Sequence, residues 1–149
     1  MTKSLAAGSW ISPIDAALVA AGAAPIAQAV ADGDDLYWLA GRASENGRTT
    51  LLRLRGAELH EVTPAPFNVR SRVHEYGGGA YLAAGGAVWF SNFADNRIYT
   101  AAGDATPLPM SQDHPQHRFA DFVLDAGKRR LIAVREQHVD GVAYPVNTI

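Results

Sequence analysis

The sequence predicts an all-β fold: a partial β-propeller of two full four-stranded blades and part of a third, preceded by a short N-terminal helix. Three observations carry this. After Pro25, short runs of Val, Ile, Leu, Tyr, Trp and Phe follow one another, each bounded by Gly or Asp. Asp-Gly and Gly-Gly pairs join these runs, and such pairs between apolar strands mark hairpins. The hairpin unit then recurs at roughly 40 to 50 residues, a period typical of propeller blades.

The N-terminal segment, residues 1–26, comes first. Within it residues 12–22 read as a helix. Ser12 can cap it, Pro13 suits the first helical position, and Asp15 favours the positive end. Ile14, Leu18 and Ala21 fall on one face, and Gly22 is a natural stop.

Residues 27–149 carry the blades. In the first, Ala27 to Ala31 turns at Asp32-Gly33-Asp34 into Leu36-Tyr37-Trp38-Leu39. Arg48 to Leu54 and Leu59 to Thr63 complete it, with Glu45-Asn46-Gly47 as the intervening turn. In the second, Ala80 to Ala84 turns at Gly85-Gly86 into Val88-Trp89-Phe90. Asp95-Asn96-Arg97 leads to the third strand, and Ala105 to Leu108 supplies the fourth. The third unit runs from Phe119 to Leu124, turns at Asp125-Ala126-Gly127, and returns through Leu131 to Val134. It is expected to stop at Ile149 where its third strand should begin. Trp38, Trp89, Phe90, Tyr81 and Tyr99 sit on strands and read as packing between sheets. A small six-strand sandwich uses the same strands, but the recurring turn order favours blades.

Composition narrows the function. The chain has 149 residues, 48% hydrophobic and 19% charged, with net charge −2. That is globular composition without the basic excess of nucleic-acid binders, so no nucleic-acid partner is expected. No cysteine is present, which excludes disulfides, thiolate metal sites and a cysteine nucleophile. No apolar run approaches the roughly 20 residues of a membrane helix. Lys3 and the following alanines imitate a signal peptide, but Pro13 and Asp15 interrupt the apolar stretch. We therefore expect a cytoplasmic chain with no membrane partner.

The most distinctive stretch is Val69-Arg70-Ser71-Arg72-Val73-His74-Glu75-Tyr76-Gly77-Gly78-Gly79. Three glycines permit a sharp turn and close packing. If residues 69–76 are extended, Arg70, Arg72, His74 and Tyr76 share one face, and Val69, Val73 and Glu75 the other. The segment links the outer strand of the first blade to the inner strand of the second. It thus crosses a propeller face toward the central channel. Arginines bind carboxylates through two parallel hydrogen bonds, and Glu75 can meet a peptide amine. Arg70, Arg72, His74, Glu75 and Tyr76 are therefore the candidate contacts for substrate or for a neighbouring domain. An internal network joining the first two blades is the competing reading.

Other constellations are weaker. Ser71 and His74 point to opposite faces of an extended segment, so they make no dyad. His114-Pro115-Gln116-His117 imitates a metal pair, but Pro115 predicts a solvated loop. No phosphate-binding loop occurs.

Four stretches resemble one family: Gly8 to Ile14, Asp32 to Trp38, Val62 to Arg70 with Val73 to Gly79, and Val88 to Asp95. The third is the most specific. On these the chain resembles the N-terminal propeller of the prolyl oligopeptidase family of serine peptidases. The closer likeness is to its bacterial acylaminoacyl-peptidase and dipeptidyl-peptidase-like members. The resemblance implies a partner, a C-terminal α/β-hydrolase domain carrying a Ser-Asp-His triad, and a peptide substrate that the propeller gates. It implies no metal or organic cofactor. The sequence contains no Gly-x-Ser-x-Gly elbow, so no catalytic residue is assigned to it. Two rival functions stay open. One is a non-enzymatic propeller that binds a protein or sugar. The other is a metal-dependent lactonase-type hydrolase, which needs inward carboxylates and asparagines from several blades; Asp34, Asn92 and Asp121 are present, but no pattern ties them to one site.

Overall fold

The computed structural model describes Gly8, residues 12–22 and residues 25–149 of the chain, without the side chains of residues 20–22. Among the described residues, strands form three antiparallel sheets in which sequence neighbours pair. The first sheet holds β1 (Ile26–Asp32), β2 (Asp35–Arg42), β3 (Arg48–Arg55) and β4 (Glu58–Glu61). The second holds β5 (Tyr81–Ala84), β6 (Ala87–Ser91), β7 (Ile98–Ala102) and β8 (Leu108–Pro109). The third holds β9 (His117–Asp125), β10 (Arg130–Gln137) and β11 (Val146–Thr148). This is the all-β, partial propeller that the turn order predicts. The third strand of the third blade is already present, because Val146–Thr148 pairs with Arg135–Gln137.

The helix is shorter than its sequence signals. α1 spans Ala16–Gly22. Asp15 caps it by accepting the Leu18 N–H at 2.7 Å, while Ser12 accepts the Ile14 N–H outside the helix. A carboxylate three residues before the donor meets an unpaired first-turn amide, so the cap moves from Ser12 to Asp15. The signature residues 9–11 lie outside the described residues.

One core joins the first two blades. Tyr37, Leu39 and Leu51 pack with Val62 and Val69 against Tyr81, Val88 and Phe90. Phe67 meets the Phe90 and Tyr99 rings edge-on, with Phe90 and Tyr99 stacked at 5.7 Å. Offset and edge contacts of this kind suit the aromatic quadrupole. Trp38 and Trp89 are half-buried on their strands.

β1 and β9 carry the same irregularity. Gln28 and Asp121, each four residues before its strand's last residue, have positive φ and shift the register. Such bulges re-aim a side chain. Gln28 Nε2 donates to the Gly78 carbonyl and its Oε1 accepts the Ala80 N–H, both at 3.2 Å. Asp121 accepts the Gly79 N–H at 2.6 Å. The two outer blades thus clamp the entry to β5 from both sides. Burial pushes the Tyr81 phenol up to about 12, so it stays protonated and donates to the Gln28 carbonyl.

Candidate functional site

Strand alternation sorts the connections into two ends. Residues 33–34, 56–57, 85–86, 103–107 and 126–129 close hairpins at one end. The β2–β3, β6–β7 and β10–β11 turns lie at the other, with both blade crossings, residues 62–80 and 110–116. The first end is built mainly of glycine turns. The second gathers Arg70, Arg72, His74, Glu75, Tyr76, Phe93, His114 and His138, so it is the candidate site.

The crossing is laid down by Arg48. Its guanidinium donates to the Thr63 and Phe67 carbonyls and pairs with Glu45 at 2.5 Å and Glu61 at 2.7 Å. Val69, Ser71 and Val73 are then buried in turn, so alternation holds this far. The Ser71 hydroxyl donates to the Phe119 carbonyl of the third blade and accepts the Val73 N–H. It is spent on structure.

Beyond Val73 the segment is not extended. His74 and Glu75 both adopt left-handed backbone, with φ of 54° and 66°. Glu75 N–H bonds to the Arg72 carbonyl and Gly77 N–H to the Val73 carbonyl, closing a tight turn. Arg70, Arg72, His74 and Tyr76 therefore do not share one strand face. Arg70 and Arg72 do share a side, and both guanidiniums lie on the Phe93 ring, 4.8 and 4.0 Å from its centroid. The turn then throws His74, Glu75 and Tyr76 outward.

Glu136 of β10 holds that turn. Only 1% exposed, it accepts the His74 N–H at 2.5 Å and lies 2.6 Å from His138 Nε2. A buried carboxylate needs partners of this kind. Arg118 of β9 donates to the Arg72 carbonyl and pairs with Glu75 at 2.6 Å. The Arg118 hydrogen bond, aided by its charge, holds the Glu75 carboxyl below the usual carboxylate range. The turn is thus tied to the third blade as well as to the first two. A cavity of about 420 Å³ opens beside it, lined by His74, Glu75, Tyr76, Glu136 and His138 with the 139–145 loop. Tyr76 stands at its rim, 92% exposed.

Phe93, Arg118, Glu136 and His138 were not legible as site residues. Each lies far along the chain from residues 70–76, and only blade packing brings them together. The remaining candidates separate. Asp34 sits in the β1–β2 hairpin at the opposite end from Asn92, and Asp121 is occupied by Gly79. Among the described residues no three His, Asp or Glu side chains are grouped to hold a metal ion. The His114 and His117 rings are half-buried and stacked 3.7 Å apart at 8°, not solvated as expected. Near-parallel rings aim their nitrogen lone pairs along parallel planes and cannot converge on one ion. No described helix is long and apolar enough to cross a membrane.

Solved structures of peptidases match this chain. A Mycobacterium tuberculosis puromycin-hydrolyzing peptidase is 39% identical, with a TM-score of 0.82 over 95% of this chain and 23% of its own. Two puromycin hydrolase structures, one a serine-to-alanine mutant complexed with PGG, are 36% identical. Their TM-scores are 0.79 and 0.75, over 87% of this chain and 22% of theirs. The chain spans less than a quarter of the length of these peptidases. No protein-family model and no curated protein matches it.

Proposed function

We propose, from the chain's membership of the prolyl oligopeptidase family of serine peptidases, that its blades belong to a propeller that admits small peptide-like amides to a serine nucleophile. An α/β-hydrolase domain of the same protein would supply that serine, its histidine base and the orienting carboxylate. The reaction is then acyl transfer to serine followed by hydrolysis, with no step assigned to a residue of this chain. The matched peptidases hydrolyse puromycin, and an aminoacyl amide with a free amine is the substrate class we carry over.

One observation supports the gating role most. The crossing from the first to the second blade is braced by Arg48, Arg118 and Glu136, yet it ends in the exposed Glu75 and Tyr76 beside a cavity. Rigid support beneath outward polar and aromatic groups is what a contact site needs. In this reading Tyr76 packs against the entering substrate, and Glu75, one of whose oxygens holds Arg118, offers the other to its amine.

The test is steady-state hydrolysis of puromycin by the full-length protein bearing Tyr76→Ala or Glu75→Gln. Each variant is expected to raise KM about three- to tenfold and leave kcat within about twofold, as loss of a binding contact does. Unchanged KM in both variants would remove these residues from substrate contact.

A further inference from the structure

Among the described residues no carboxylate is in direct contact with Arg70 or Arg72, although Glu75 is near enough to feel the Arg72 charge. Among the described residues neither guanidinium joins an ion pair, whereas Arg48, Arg53, Arg55, Arg118 and Arg130 all do. Two acids close to this cluster in sequence, Glu75 and Asp95, have partners of their own. Glu75 is taken by Arg118. Asp95, two residues after Phe93, accepts from the Asn92 side chain and the Arg97 N–H on one oxygen and from the Tyr99 hydroxyl on the other. The Phe93 ring meanwhile holds both guanidiniums in place. Cation–π contact fixes a guanidinium plane but leaves its N–H donors free. Two guanidiniums held on one ring, at the loop-bearing end of the blades and without an ion-pair partner among the described residues, have N–H donors to offer an anion with two oxygens.

We propose that Arg70 and Arg72, stacked on Phe93, form a subsite for the carboxylate of a peptide-like ligand. The planar fork matches a carboxylate through two parallel N–H···O bonds, which an amide of the same shape cannot accept as strongly. The subsite rests on the peptide-admitting reading for the kind of ligand that reaches it. It requires no catalysis, so its test is one of binding.

The experiment is calorimetric titration of the full-length protein with N-acetyl-glycyl-glycine and with the corresponding amide. The acid is expected to bind about tenfold more tightly than the amide, and less so in high salt. Arg72→Gln should abolish that preference. Arg72→Lys keeps the charge without the fork and should retain only part of it, which separates recognition from a folding defect. Equal binding of acid and amide, no binding of either at millimolar concentration, or a preference unchanged in Arg72→Gln would each overturn the subsite. Failure to hydrolyse puromycin would count against the peptidase reading and leave this result to stand or fall separately.

Discussion

Gly78 and Gly79 show why three glycines stand in this loop. A Cβ on Gly78 would lie 2.9 Å from an Asp121 carboxylate oxygen and 3.0 Å from the Ala120 Cβ. One on Gly79 would lie 3.0 Å from Asp121. The requirement is close approach between blades, and only at Gly77, with φ of 87°, is it also left-handed backbone. Gly78→Ala should therefore destabilise the fold by about 1–3 kcal/mol, the usual cost of overpacking, as read by urea unfolding. An unchanged midpoint would mean that β9 yields at no cost. The glycine run itself signalled a sharp, closely packed turn. What it packs against was invisible, since Asp121 lies more than forty residues away and acts through a bulge that no local pattern marks.

Among the elements, the link from β8 to β9 has its own chemistry. Burial pushes the His117 imidazole below its usual range, and the neighbouring His114 and Arg135 charges push the same way. The folded state thus resists protonating His117 more than the unfolded chain does. Its contribution is complete above about pH 6.5 and is lost as pH falls from there toward the lowered folded value. The drop in urea midpoint between about pH 7.5 and 5.5 should be larger in the native protein than in His117→Gln. Equal drops would place the stacked pair outside the stability of this link. The segment from Val69 to Tyr76 illustrates the limits of alternation at the same scale. The pattern places Val69 and Val73 inward and Arg70 with Arg72 outward, as observed. It fails at His74, where the backbone amide turns to the buried Glu136 and the chain leaves the extended region. Period-two reasoning cannot anticipate a hydrogen bond to a residue sixty-two positions away.

At the scale of the whole molecule, the blades were the most legible feature. Each hairpin turn carries its own Asp or Gly, and the order repeats, so local signals and global architecture agree. The first and third sheets each leave apolar groups in solvent, among them Leu36 and Leu59 on the first and Val123 and Val146 on the third. Blades bury such faces against neighbours. The 149-residue chain on its own should accordingly self-associate, with a melting temperature that varies with protein concentration. A sharp, concentration-independent monomeric transition would contradict this.

The central claim is that the loop-bearing end of the blades selects small peptide-like substrates. Its most direct measurement is the ratio of kcat/KM for a short aminoacyl amide to that for a long unfolded polypeptide, made on the full-length protein. A ratio strongly favouring the short amide is the result a gate predicts. Comparable cleavage of both would show that these blades admit substrates without regard to size.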